Sequence, residues 1–175
     1  RNELIEEIRL EAEKQTSKYF LDLVNKEDFK SISINETYVT RPVGHDGVAK
    51  GYSVGQGIAM ALAFIAALRE ITGKKYFLLM DSGYHSVSAP ERLQLAQGFA
   101  KYLKGTQITC LVQGQEYTST SKKDISGPTV GTVQDELKKL NILDREYILK
   151  EVPAKQPDLT TYAKVELHKD YRSTN

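Results

Sequence analysis

The chain has 175 residues, 40% of them hydrophobic and 27% charged, which is room for one globular domain with a sizeable core. Twenty-four Lys and Arg against 23 Asp and Glu leave a net charge of +1, which excludes an all-over basic nucleic-acid module and an acidic disordered tail. The single cysteine, Cys110, excludes a disulfide framework and a multi-cysteine zinc site, and a reducing, cytoplasmic setting is the simplest reading. The chain opens on Arg1 inside a charged helical stretch without signal-peptide character, and is read as a piece of a longer protein.

From Arg1 to Val24 the residues are rich in Glu and Lys and free of Gly and Pro, which predicts a helix. Ile5, Ala12 and Tyr19 are spaced by heptads, with Ile8 and Gln15 between them. The trace fits either an amphipathic surface helix or the end of a longer coiled coil. Ser31 to Val39 alternates as a half-buried strand until Pro42, and Val43 to Gly51 is a glycine-containing loop or hairpin. Ile58 to Leu68 is an unbroken apolar run, too short for a bilayer and apolar all round, so a core-buried helix is expected, stopped at Gly73. Tyr76 to Met80, ending in Asp81, reads as a central strand of a parallel sheet. Pro90 opens a helix that runs to Leu103, and Gln107 to Val112 is a further short strand, which completes an α/β crossover unit. Beyond a polar loop at Thr118 to Pro128, a short helix at Val130 to Leu140 and two strands at Tyr147 to Val152 and Thr160 to Leu167 are expected.

Two segments can carry chemistry. Tyr52-Ser53-Val54-Gly55-Gln56-Gly57 stands at the start of the apolar helix, where free backbone N–H groups and small residues suit an anion. The plainer reading is that Ser53 only caps the helix. Asp81, at the C-terminal end of an apolar strand, points into the crevice where α/β proteins bind ligands and could hold a Mg²⁺ shell; the plainer reading is a turn cap.

Taken in order, the Ser-x-Gly-Gln corner, the apolar helix, the strand ending in Asp and the small-residue loop resemble the C-terminal lobe of an ABC-type ATPase head. The likeness is to the SMC-like group of chromosome-organising, DNA-repair and phage-defence ATPases, and it covers Ile32 to Tyr117. It implies an α/β fold, with a mostly parallel central sheet flanked by helices. Residues 1–24 would be the end of a coiled-coil arm and 25–175 the ATPase lobe. By resemblance, Ser53, Gly55 and Gln56 match the signature motif, whose Ser and second Gly contact the γ-phosphate of ATP held by the opposite head. Asp81 matches the Walker B carboxylate that supports Mg²⁺. Ser86 and Ser88 lie where the family has its D-loop, and Gln113 and Gly114 where it has its switch His. The resemblance further implies a homodimer or related head across the ATP site and DNA as a partner; no membrane is expected, because the apolar run is too short to span one.

The departures fall on the hydrolytic groups. The catalytic Glu that follows the Walker B Asp is Ser82, the next Pro is Gly83, the D-loop Asp is Ser88, and the switch His is Gly114. A neutral Ser82 cannot act as a general base toward water, so hydrolysis would be slow or use another group, with Glu91 and His85 near in sequence. No Gly-x-x-x-x-Gly-Lys-[Ser/Thr] loop occurs, so an N-terminal lobe carrying Walker A is required for tight ATP binding. Two other readings stay open. Asp81-Ser82-Gly83 matches the Asp-[Ser/Thr]-Gly triplet of aspartic proteases, whose all-β surroundings the flanking helices do not suit. The chain could also be a degenerate, non-hydrolysing lobe kept for dimerisation or as a scaffold. His45 and His168 read as surface residues and His85 as a loop histidine, because no second and third metal ligand stands at suitable spacing.

Overall fold

The computed structural model describes residues 2–24, 26–81, 87–111, 132–153 and 161–171. The chain divides into two compact units, 1–136 and 137–175.

In the first unit, helix α1 (Asn2–Leu23) packs on helix α2 (Val54–Thr72), on strand β1 (Ser31–Ile34) and on helix α3 (Ala89–Tyr102). The heptad trace splits along its length. Ala12 and Tyr19 are buried with Thr16, Phe20 and Leu23, whereas Leu4, Ile5, Ile8 and Leu10 in the first turns are exposed. Aromatic side chains meet one another within this core. Phe20 meets Phe29 edge-on with centroids 5.4 Å apart, and Tyr19 meets Tyr102 at 4.6 Å. Gly98 on α3 leaves room for Leu23, because a Cβ there would lie 2.4 Å from Leu23 Cδ2. Asp22, at the end of α1, accepts from Lys101 Nζ at 2.8 Å and from the Tyr102 hydroxyl, and pairs with Lys26 at 3.3 Å. The Lys101 and Tyr102 donors, followed by Lys26, hold its carboxyl well below the usual carboxylate range.

The first sheet is the antiparallel pair β1–β2, with β2 at Thr40–Val43. The expected strand to Val39 stops at Ile34 because Asn35 turns the chain. Its Oδ1 accepts from Thr37 N at 3.1 Å and from Val39 N at 2.8 Å, and Tyr38 takes φ 61. Pro42, expected to break the pattern, lies within β2 opposite Ile32, on a strand that among the described residues pairs with β1 alone apart from a single bridge from Val43 to Ala49, where a missing N–H costs little. The side of β1 away from β2 is occupied by α1. Ile32 N donates to Ser17 Oγ at 2.8 Å and Ile34 N to Glu13 Oε2 at 2.7 Å.

Helix α2 runs longer than its apolar run and ends as expected at Gly73, which takes φ 65 and donates its N–H to the Arg69 carbonyl. By length and composition it could cross a membrane. Gly55, Ala59, Leu62, Ala63, Ala66 and Ala67 are buried, whereas Ile58, Met60, Phe64 and Ile65 are only half-buried. The helix is therefore buried along one stripe rather than all round.

Strands β3 (Leu78–Asp81) and β4 (Ile108–Leu111) pair in parallel, Leu78 with Ile108 through Asp81 with Leu111, across the α3 crossover. The strand expected from Tyr76 begins two residues later, and it is not a buried central strand. Leu79 and Phe77 are each 60% exposed. A strand is buried on both faces only when neighbours and covering helices surround it, and among the described residues β3 has one strand neighbour. Of the three strand pairs described, one is parallel and two antiparallel. The mostly parallel central sheet is thus represented here by β3–β4 alone.

A short helix, α4 (Val133–Lys139), begins at Thr132, whose hydroxyl accepts from Asp135 N at 3.0 Å. Glu136 accepts from Gln97 on α3 at 3.1 Å. In the second unit, β5 (Arg145–Pro153) and β6 (Thr161–Asp170) form a long antiparallel ribbon. Its register shifts between Glu146 and Tyr147, leaving exposed His168 as the extra residue of a bulge.

Candidate functional site

The start of α2 is set by a reciprocal cap. Ser53 has extended φ and ψ, its Oγ accepts from Gln56 N at 3.2 Å, and its own N–H donates to Gln56 Oε1 at 2.8 Å. Ser-x-x-Gln before an apolar run is a local signal for this geometry, so both side chains are explained by helix capping alone. The cap satisfies the N–H of Gln56 and Ser53, and Gly57 N donates to the Ser53 carbonyl at 2.9 Å. Val54 and Gly55, the first two helical residues, keep N–H groups that no helix geometry can pair. Tyr52, Ser53 and Val54 are exposed. The exposed part of the corner therefore offers solvent a hydroxyl, the Val54 N–H and the positive end of the α2 dipole, which together suit an anion, while Gly55 behind it is buried.

Helix α3 starts in the same way. Ser88 caps it, accepting from Glu91 N at 3.5 Å, while Glu91 Oε2 accepts from Ser88 N at 3.1 Å and from Ser88 Oγ at 2.7 Å. Pro90 lies in its first turn, where the missing N–H costs nothing. The two helix starts meet. A Cβ on Gly55 would lie 3.2 Å from the Glu91 carboxyl carbon and 3.2 Å from each carboxyl oxygen. Gly57 is similarly approached by the Tyr52 ring, at 3.2 Å from a Cβ position. Both glycines are thus close-approach positions, and Gly55, Gln56, Ser53 and Ser88 belong to one neighbourhood joined through Glu91.

Asp81 is the last residue of β3, opposite Leu111, and its side chain is exposed at the C-terminal end of the parallel pair. This is the strand end at which α/β proteins bind ligands. A parallel pair that follows α2 and is joined through α3 is unlike the antiparallel surroundings of an aspartic-protease triplet. Ser82, Gly83, His85, Ser86, Gln113 and Gly114 lie outside the described residues. Glu91, a nearby carboxylate that could have replaced a missing base, is committed to the α3 cap. Its contact with Gly55 joins residues distant in sequence. Only the local Ser-x-x-Glu capping pattern was open to inspection beforehand. Two surface depressions lie elsewhere, one lined by Arg9, Glu13 and the Asn35 turn, the other by Arg69, Lys75, Lys101 and Lys104 beside the end of α2.

No protein-family model and no curated protein matches the sequence, so the similarities are structural. One similar structure comes from work on the structural biochemistry of ATP-driven dimerisation and DNA-stimulated activation of SMC ATPases. It aligns with a TM-score of 0.56 at 12% identity, over 99% of this chain and 93% of that one. An SmcHead bound to the C-winged helix domain of ScpA aligns with a TM-score of 0.56 at 13% identity, over 95% of this chain and 44% of that one. An Smc head domain with an extended coiled coil, bound to the C-terminal domain of ScpA derived from Pyrococcus furiosus, aligns with a TM-score of 0.51 at 12% identity. It is covered over 35% of its length, by 90% of this chain, so the chain spans less than half of these last two structures. At such identities the match speaks for the fold, and the chain has the fold of an SMC head fragment.

Proposed function

We propose that this chain is the C-terminal half of an SMC-like ABC ATPase head, which supplies signature and Walker B residues for ATP-dependent dimerisation of heads. The observation that carries the proposal is the unfinished β3–β4 pair. Two parallel strands do not form a stable sheet on their own, and parallel sheets are covered on both faces. Here Phe77 and Leu79 are exposed, and each strand has one neighbour among the described residues. Strands from an N-terminal lobe carrying Walker A would extend this pair into the mostly parallel sheet and cover the half-buried side of α2. The domain assignment follows, with residues 1–24 as the end of a coiled-coil arm and 25–175 as the lobe.

In this reading Ser53, through its hydroxyl, and Gly55, through its N–H, hold the γ-phosphate presented by the opposite head, with Gln56 keeping Ser53 in place. Asp81 supports Mg²⁺ in its own head, and Ser86 and Ser88 line the nucleotide side of the interface. The residues fit these groups. The α2 start has unpaired N–H groups without a side chain at Gly55, and Asp81 is a carboxylate at a parallel strand end. ATP, when bound, supplies the phosphoryl group that bridges two heads and can pass to water. Ser82 offers no base for that step, so the chain's own residues favour binding and dimerisation over fast turnover. A non-hydrolysing lobe is the second reading, favoured by the same Ser82 and by the engagement of Glu91 in a helix cap. DNA repair, maintenance or defence in the cytoplasm, with DNA as partner, is the setting that the likeness suggests.

The test is Ser53→Arg in the head reconstituted with its N-terminal lobe. ATP-dependent dimerisation, followed by sedimentation, is expected to disappear. Dimerisation that persists at saturating Mg-ATP removes the signature assignment.

A further inference from the structure

Glu91 stands at the junction of two helix starts, and no role assigned so far uses its charge. Its carboxylate is held by Ser88 N at 3.1 Å and Ser88 Oγ at 2.7 Å, inside a capping box stiffened by Pro90. The carboxyl carbon and both oxygens are equidistant, at 3.2 Å, from the Cβ position of Gly55. Equal distances to the three atoms mean that the carboxyl plane lies face-on to Gly55, where a side chain would press on it. The positive start of α2 attracts such a group. A carboxylate of the chain itself therefore lies beside the corner where an incoming phosphate would dock. A phosphate brought to Ser53 and Gly55 would share this neighbourhood with the Glu91 carboxylate, and two such like charges repel, the more so as water is excluded from an interface.

We propose that Glu91 is an electrostatic brake on head dimerisation. It opposes the approach of the partner-held phosphate to Ser53 and Gly55, so that dimers form only when the rest of the interface outweighs a fixed negative charge. This rests on the assignment of Ser53 and Gly55 to the phosphate contact.

Glu91→Gln tests it, because Gln serves equally at the third position of a capping box and preserves shape while removing charge. Dimerisation of the reconstituted two-lobed head is measured by sedimentation with a non-hydrolysable ATP analogue, at low and at physiological salt. Glu91→Gln is expected to tighten the dimer about 10-fold at low salt, and by less at higher salt, where charges are screened. Glu91→Met, also neutral and a good helix former although unable to accept from Ser88, is expected to tighten it as well, its folding being checked by circular dichroism. Unchanged or weaker dimerisation in a folded neutral variant, with Ser53→Arg still abolishing it, overturns the brake and leaves the signature assignment standing. Wild-type dimerisation by Ser53→Arg removes the assignment and the brake together.

Discussion

Ser53 has two separable jobs in this structure, and one substitution series distinguishes them. As the N-cap of α2 it accepts the Gln56 N–H, and Ser53→Ala is expected to cost about 1 kcal/mol of stability. Ser53→Asp keeps an acceptor in the same place and adds a charge that the helix dipole favours by roughly 0.3–1 kcal/mol. Asp should therefore be as stable as Ser, or more so, in urea unfolding of this chain, with the shift read from the midpoint. At the nucleotide interface the order reverses. A carboxylate about 4 Å from a phosphate oxygen, in a surface region of effective dielectric near 20, is repelled by about 4 kcal/mol. That is roughly a 1,000-fold loss of dimer affinity per site. Ser53→Ala would lose a hydroxyl donor only, worth about 1 kcal/mol. The expected pattern is stability in the order Asp ≥ Ser > Ala, and dimerisation in the order Ser > Ala ≫ Asp. If Ser53→Asp dimerises as the wild type does, no phosphate comes near this hydroxyl. If it destabilises the chain as much as Ala does, the cap has been misjudged.

Two further outcomes follow from the packing. Asp22 is held ionised by Lys101, Tyr102 and Lys26, so its folded carboxyl titrates below its unfolded value. Its stabilisation is present above the ordinary carboxylate range, near pH 4, and is lost as pH falls through the folded value. Asp22→Asn should cost about 1 kcal/mol at pH 7, discounted for a side chain that is one-third exposed, and should flatten the acid limb of a pH–stability curve. An unaltered acid limb would show that another carboxylate dominates. Leu79→Lys should leave the circular dichroism of this chain unchanged, because Leu79 is exposed here, yet prevent assembly with the N-terminal lobe. Normal assembly would show that β3 does not lie inside a completed sheet.

What could be read beforehand depended on the range of the interaction involved. The Ser53 cap, the Gly73 stop and the Pro90 start involve neighbours within one helical turn, and each appears close to where the residues indicated. The parallel pairing of β3 and β4 followed from the crossover helix between them. Burial was less legible, because it depends on what surrounds a segment. Tyr76 to Met80 has the composition of a central strand, but composition does not supply the strands on either side. The turn at Asn35 was missed because alternation in Ser31 to Val39 masked a side chain able to capture two following N–H groups. The meeting of Glu91 with Gly55 required two helix starts to converge in space, which no spacing along the chain encodes.

The two sheets of the first unit also differ in how their margins are finished. The margin of β1 is closed by Ser17 and Glu13, which take up the Ile32 and Ile34 amides, so added backbone would have to displace the chain's own helix. The β3–β4 pair has no further strand among the described residues, and apolar Leu79 faces solvent. Growth by strand addition is thus directional. Self-association of the lone chain should start at Leu78–Asp81 or Ile108–Leu111 rather than at Ser31–Ile34. If the proposed N-terminal lobe completes this sheet, supplying that lobe during synthesis would act as a chaperone for this chain, by covering the sheet that its own helices leave bare.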